Sequence, residues 1–213
     1  LWGRGIIEVI EKGVMMKEKT LKNLKEWAII IAVAAVVWFL LTRFVVFTCH
    51  VPTPSMVPTI QLEDHIVVDR LFYKMGSLQR GDIIVFKAPE HPGIEKDKWG
   101  ELMVKRLIGL PGETVEWKNG YVWIDGQALN EPYVIDPEGR TIGWFGPVTV
   151  PEGSYFVMGD NRENSGDSRS WGVLDQKRVE GRVWIRYWPF DRFGGLVKPP
   201  EDSWREGSLD SER

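Results

Sequence analysis

Polar and apolar positions divide the chain into regimes with different periods. Residues 27–41 read WAIIIAVAAVVWFLL without a polar interruption; Thr42 and Arg43 break the run, and FVVF at 44–47 resumes it. The total of about 21 residues can cross a bilayer core of roughly 30 Å as a helix. The segment is apolar all round, whereas a helix packed on a soluble core shows one apolar stripe. Arg43 can lay its stem along lipid and keep its guanidinium among headgroups. Lys17, Lys19, Lys22 and Lys25 precede the run, and basic flanks stay on the cytoplasmic side. A cleaved secretion signal has a shorter apolar stretch and a small-x-small site after it. Thr48-Cys49-His50-Val51-Pro52 offers no such site. The pattern predicts an uncleaved anchor over 27–47, a cytoplasmic segment over 1–26, and the rest of the chain on the outer face. Residues 1–14, ahead of Met15 and Met16, are expected to be an upstream extension with no fold of their own.

After residue 60 the pattern turns to short β-branched runs, at 65–69, 82–86 and 102–108, punctuated by Gly76 and Gly81. Runs at 113–117 and 121–125 flank Asn119-Gly120, a pair that accepts the positive φ of a tight hairpin turn. Further strands are expected at 147–150, 155–158 and 182–187. No segment beyond residue 60 sustains a helical period. The expected fold is all-β: an antiparallel β-sheet domain over 48–197, with a smaller β insert at about 116–152. The polar stretch 198–213 reads as a disordered tail. Core packing is expected for Trp117, Trp123 and Trp184. Trp144 and Phe145, between Gly143 and Gly146, read as an exposed loop tip suited to a lipid interface.

Composition narrows the chemistry. A net charge of -3 provides no basic surface for nucleic acid. The single cysteine, Cys49, cannot form an internal disulfide; it marks the end of the apolar segment. Ser55 stands in PTPSMVPT, shortly after that segment. A serine hydroxyl is a weak nucleophile until a base takes its proton. The three histidines, His50, His65 and His91, lie in no triad-like motif. A lysine can serve if desolvation leaves it neutral. Lys105 sits among Leu102, Met103, Val104, Leu107 and Ile108, and strand alternation places it on one face with Met103 and Leu107. On pattern alone a surface lysine remains the plainer reading. The loop GDNRENSGDSRSWG at 159–172 follows a strand and is dense in small polar residues, able to present hydroxyls and carboxylates to a site. It is not a calcium loop, because Arg162 and Trp171 occupy the third and twelfth positions where ligands are needed. A nucleophile at Ser168 would need a histidine, and none follows residue 91. Gly-x-Ser-x-Gly and Ser-x-x-Lys are both missing.

Taken in order, PTPSMVPT, VKRLIGLPGE and GDNRENSGDSRSWG resemble the motifs of the bacterial type I signal peptidases, from the anchor through Trp188. The resemblance implies Ser55 as nucleophile and Lys105 as general base. It implies an oxyanion hole from the Ser55 N–H and the Thr53 hydroxyl, Thr53 replacing the serine often found there. It further implies that Ser165 hydrogen-bonds the lysine, that Asp167 and Arg169 brace the site, and that Met56 and Arg106 are mainly structural. Pro54 departs from the small flexible residues usual at its position. No metal or cofactor is implied. The implied reaction is hydrolysis of secretory preproteins after a small-x-small site, at the outer face of a bacterial membrane near the secretion translocon. Two alternatives stay open: a self-cleaving repressor-type Ser/Lys protease, and a catalytically silent membrane-tethered β-domain.

Overall fold

The computed structural model describes residues 22–118, 120–134 and 144–196. The expected upstream extension and the tail 198–213 lie outside the described residues.

Helix α1 spans Lys22–Val45, 24 residues, or about 36 Å at a helical rise of about 1.5 Å per residue. Its side chains are exposed from Lys22 to Phe44. Its last turn, Leu41–Val45, widens to π geometry, and the Thr42 hydroxyl donates to the Trp38 carbonyl at 2.9 Å. Val46 and Phe47, which hydropathy alone assigns to the span, are strand residues. They open β1 (Val46–His50), which pairs antiparallel with β2 (His65–Asp69) in the register Val46 to Asp69. The physical reason is local: a β-branched and an aromatic residue suit a pleated sheet as well as a bilayer.

The remaining strands are β3 (Ile83–Lys87), β4 (Leu102–Gly109), β5 (Thr114–Lys118), β6 (Tyr121–Ile124), β7 (Gln127–Ala128), β8 (Phe145–Thr149), β9 (Ser154–Met158), β10 (Leu174–Asp175), β11 (Val179–Trp188) and β12 (Gly194–Gly195). They form two antiparallel sheets, as the all-β expectation requires. The larger runs β1-β2-β11-β3-β4-β9-β10, with β12 on β11; the smaller runs β7-β6-β5-β8. Beyond α1 the α-helices among the described residues are single turns, α2 (Phe72–Met75) and α3 (Ser168–Trp171). The β5–β6 hairpin closes as its sequence predicts: Lys118 faces Tyr121, and Gly120 has φ of 77°, where a Cβ would be strained.

Strand β4 is the centre of the fold. Val104 through Gly109 are all buried, because apolar clusters close on them from different sides. Val104 packs with Met56, Ile66, Val68 and Val85; Leu107 packs with Ile84, Phe86, Trp171 and Leu174. Ile108 joins Val115, Trp117, Val122 and Phe156 under the smaller sheet. β9 pairs with β4 only from Arg106 to Gly109. Leu102–Lys105 therefore has β3 on one side and no described strand on the other.

Three aromatic expectations change. Trp123, expected in the core, is only partly buried: it alternates with buried Val122 and Ile124, and Lys118 Nζ lies 4.5 Å from its ring centre. Trp117 is core, but Trp184 is 65% exposed: the β11–β2 register slips between Val183 and Ile185, and Trp184 turns outward while Val183 is buried. Phe145 is not a loop tip. It pairs with Trp117 across β5–β8, and its ring lies 5.4 Å from that of Phe156. Trp144 stays exposed.

Candidate active site

Three segments converge on one point. The first is a single 3₁₀ turn, Pro54–Met56, entered through extended Thr53. Proline presets φ for the start of such a turn. The turn closes by Val57 N–H to the Pro54 carbonyl at 3.1 Å, and Ile60 N–H reaches the Met56 carbonyl at 2.9 Å. Met56 is fully buried and pins the turn to the β2, β3 and β4 side chains. That leaves Ser55 buried at the turn's centre, with the Thr53 hydroxyl 3.4 Å from its Oγ.

The second segment is β4. Lys105 Nζ donates to Ser55 Oγ at 2.7 Å and to the Val104 carbonyl at 3.1 Å. Lys105 is 3% exposed, and burial pulls its pKa down to about 8. The Asp167 and Asp160 charges oppose that fall, and Arg169 adds to it. Both acceptors of its hydrogen bonds are neutral oxygens, so the ammonium has lost water without gaining a carboxylate partner.

The third segment is the polar loop after β9. Its backbone clasps the serine turn: Asn161 N–H donates to the Ser55 carbonyl at 3.1 Å, and Asn161 Nδ2 to the Pro54 carbonyl at 3.2 Å. Asp167 caps α3 and accepts from Arg169 Nε at 2.8 Å, Arg169 Nη2 at 2.9 Å and Gly159 N–H at 3.0 Å. Burial raises the Asp167 pKa, but these donors outweigh it and hold the carboxyl below its usual value. Arg106 is fully buried and forks onto Asp160, Nε at 2.8 Å and Nη2 at 2.6 Å, while Nη1 donates to the Gly81 carbonyl at 2.8 Å. The Thr59 hydroxyl completes the Asp160 shell at 2.5 Å.

The hydrogen bond from Ser165 to Lys105 that the resemblance implies is not formed. Ser165 Oγ is buried and near enough to Asp167 to help hold it ionised, yet among the described residues it meets no partner in hydrogen-bond geometry. Gly159 explains its placement: a Cβ there would sit 2.3 Å from Ser165 Oγ and 2.4 Å from the Ser55 carbonyl. Glycine's bare backbone is thus the layer between the two serines. Reading the sequence missed Gly159, Asp160, Asn161 and Arg162 as individual contributors, although their motif was singled out. It missed Glu131 and Tyr133 entirely.

A cleft of about 840 Å³ between Leu78, Arg80, Leu110 and Leu129 contains neither Ser55 nor Lys105. The chemistry gathers instead beside the stretch of β4 that has a described strand on one side only. An open strand edge can take an extended peptide by main-chain pairing.

The signal peptidase family, peptidase S26, matches residues 24–188. "Probable signal peptidase I-1" of Synechocystis is 42% identical over 173 residues, 81% of this chain and 87% of that protein. "Signal peptidase I" of Leptolyngbya laminosa is 41% identical over 157 residues, 74% of this chain and 76% of the relative. "Signal peptidase IB" of Staphylococcus aureus is 36% identical over 193 residues, 84% of this chain and 96% of the relative.

Proposed function

The chain belongs to the signal peptidase family, peptidase S26, and on that premise we propose that it removes signal peptides from secretory preproteins with a Ser55–Lys105 dyad. The observation that carries the proposal is the 2.7 Å hydrogen bond between a buried lysine and a buried serine. The family match crosses α1, which a repressor-type protease with a helical DNA-binding domain does not accommodate, and the curated relatives are peptidases.

An extended substrate pairs with the open stretch of β4 and brings its scissile carbonyl to Ser55 Oγ. Neutral Lys105 takes the hydroxyl proton as Oγ attacks. The oxyanion forms against the Ser55 N–H and the Thr53 hydroxyl, two donors that stabilise the developing charge. Lys105 then protonates the departing amine, and a water activated by the same base hydrolyses the acyl-enzyme. Small residues flanking the cut suit a site crowded by the buried Met56 turn. Asp167 and Arg169 hold the loop. The chemistry asks for no metal.

The helix α1 is the anchor, with the lysines that lead into its apolar run cytoplasmic and the β-domain on the outer face of a bacterial cell membrane, near the translocon that delivers preproteins. Trp144 contacts the lipid interface: Trp144→Ser should weaken vesicle binding of residues 46–213 several-fold, and unaltered binding removes it from the interface.

The decisive assay is cleavage of a preprotein with an Ala-x-Ala site by the detergent-solubilised enzyme. Ser55→Ala should abolish it. Thr53→Val, which keeps shape and loses the donor, should lower kcat at least about tenfold. A Ser55→Ala enzyme that still cleaves would refute the nucleophile.

A further inference from the structure

Two residues of the segment after β7 reach across to the catalytic loop. Glu131 is 8% exposed and grips the 4% exposed Arg162 with both oxygens, at 2.8 Å to Nη1 and 2.5 Å to Nη2. Tyr133 donates its hydroxyl to Glu131 at 2.6 Å and lays its ring under Arg106, 3.8 Å from the guanidinium carbon. A single short segment thus meets both buried arginines of the site.

Arg162 has a third contact. Its Nε donates to the Gly159 carbonyl at 3.0 Å. Gly159 is held at its other end by Asp167, which accepts its N–H at 3.0 Å. Between those two tethers its Cα faces the Ser55 carbonyl, with no room for even a methyl group. The contacts run unbroken from Glu131 to Arg162, to Gly159 and to the Ser55 main chain. A bidentate carboxylate fixes the guanidinium plane, and that plane sets where Nε points. The Trp117 ring, 5.4 Å from the Arg162 guanidinium, backs it from the smaller sheet.

We propose that Glu131 is a positioning residue for the reaction: acting through Arg162 and the Gly159 backbone, it seats Ser55 Oγ at hydrogen-bonding distance from Lys105. The smaller sheet is then more than an appended unit. It carries the arm that sets the dyad. Glu131 touches neither substrate nor reacting atoms. The proposal rests on Ser55 as the nucleophile.

The test uses the full chain in detergent with the Ala-x-Ala preprotein. Glu131→Gln keeps the size and removes the charge. Its kcat should fall about tenfold while KM stays within about twofold, as expected for a displaced nucleophile rather than weakened substrate binding. Thermal unfolding of the same sample establishes that it is folded at the assay temperature. The exchange Glu131→Arg with Arg162→Glu restores the ion pair, but a glutamate cannot donate to the Gly159 carbonyl. It should recover stability and leave kcat low. Recovery of kcat together with stability would mean the pair only holds the fold, and would overturn the proposal. If the exchange variant does not fold, Glu131→Gln decides alone: a folded enzyme with kcat within about twofold of the parent overturns it. Ser55→Ala in the same assay separates the two readings. Cleavage by Ser55→Ala defeats the nucleophile itself; a dead Ser55→Ala beside a fully active Glu131→Gln defeats only the positioning role.

Discussion

Lys105 and Arg106 are consecutive residues of one strand, both cationic at their ordinary pKa and both buried, and the fold treats them in opposite ways. Arg106 receives the Asp160 carboxylate on two nitrogens, the Gly81 carbonyl on a third and a tyrosine ring on its face. Burial alone would lower its pKa, yet the bonds to Asp160 raise it instead. Among the described residues Lys105 meets only a serine hydroxyl and its neighbour's carbonyl, and its pKa falls to about 8. The nearby carboxylates are committed elsewhere: Asp160 to Arg106 and Asp167 to Arg169. By tying up both acids with arginines, the loop denies the lysine a counterion. An arginine keeps its proton at any accessible pH, while a stranded lysine can give its proton up. The contrast separates a cation that holds structure from one suited to proton transfer.

The largest break in that contrast is Lys105→Arg, which puts a permanently charged group on both positions. Cleavage should fall by about 10³-fold, the scale of a lost general base, and should not recover at any pH up to 10. The parent should gain activity with pH through a midpoint near 8, with about a tenth of Lys105 neutral at pH 7 and about nine tenths at pH 9. A rate that stays flat from pH 5 to 9 would remove Lys105 from proton transfer. The next break is Arg106→Leu, which leaves Asp160 buried without its partner. Such a loss costs about 3–5 kcal/mol of stability. The bare carboxylate, already a charge that raises the Lys105 pKa, should push the activity midpoint above its parental value. Chemical unfolding and a pH–rate profile on one preparation read both effects. An unmoved midpoint would mean Asp160 does not act on the lysine.

Legibility in the sequence followed the range of each interaction. Strands β2, β3, β4 and the β5–β6 hairpin could be read because alternation and turn chemistry are local signals. β1 could not, because Val46 and Phe47 continue the apolar run of α1 and only pairing with β2 reveals them as strand residues. Trp184 was misassigned for a related reason: a register slip against β2 turns it outward, and no residue of β11 announces the slip. Ser55 and Lys105 stood out as chemical types in suggestive surroundings, and the family motifs joined them. Arg106 reads as an ordinary strand position until its partner 54 residues away is seen. Glu131, in a turn with no motif, pairs with Arg162 across 31 residues. Ser165 shows the opposite limit. The motif placed it beside the dyad, but hydrogen-bond geometry belongs to the folded loop.

The contrast also carries a stability prediction, smaller than the first two. A buried lysine with a pKa near 8 holds its proton less readily in the folded chain than in the unfolded one, where the value is 10.5. Below pH 8 both states are protonated, and folding bears the whole cost of burying the ammonium. By the pKa difference that cost is about 3 kcal/mol. From pH 8 to 10.5 the folded state holds fewer protons than the unfolded state, so Lys105 makes stability rise with pH across that window. Above 10.5 the lysine is neutral in both states and the cost is gone. Lys105→Met replaces the amine with an apolar chain of similar length and forfeits two hydrogen bonds, which offset part of the gain. It should abolish cleavage yet stabilise the fold by about 1–3 kcal/mol at pH 6–7, and the advantage should shrink as pH rises from 8 to 10.5. Denaturant unfolding of parent and variant at pH 6.5, 8, 9.5 and 11 measures the difference. A methionine variant that is no more stable at pH 6.5, or whose advantage does not change with pH, would mean the lysine is not stranded. Arg106 next to it would then owe its different behaviour to its guanidinium alone rather than to the acids the loop assigns it.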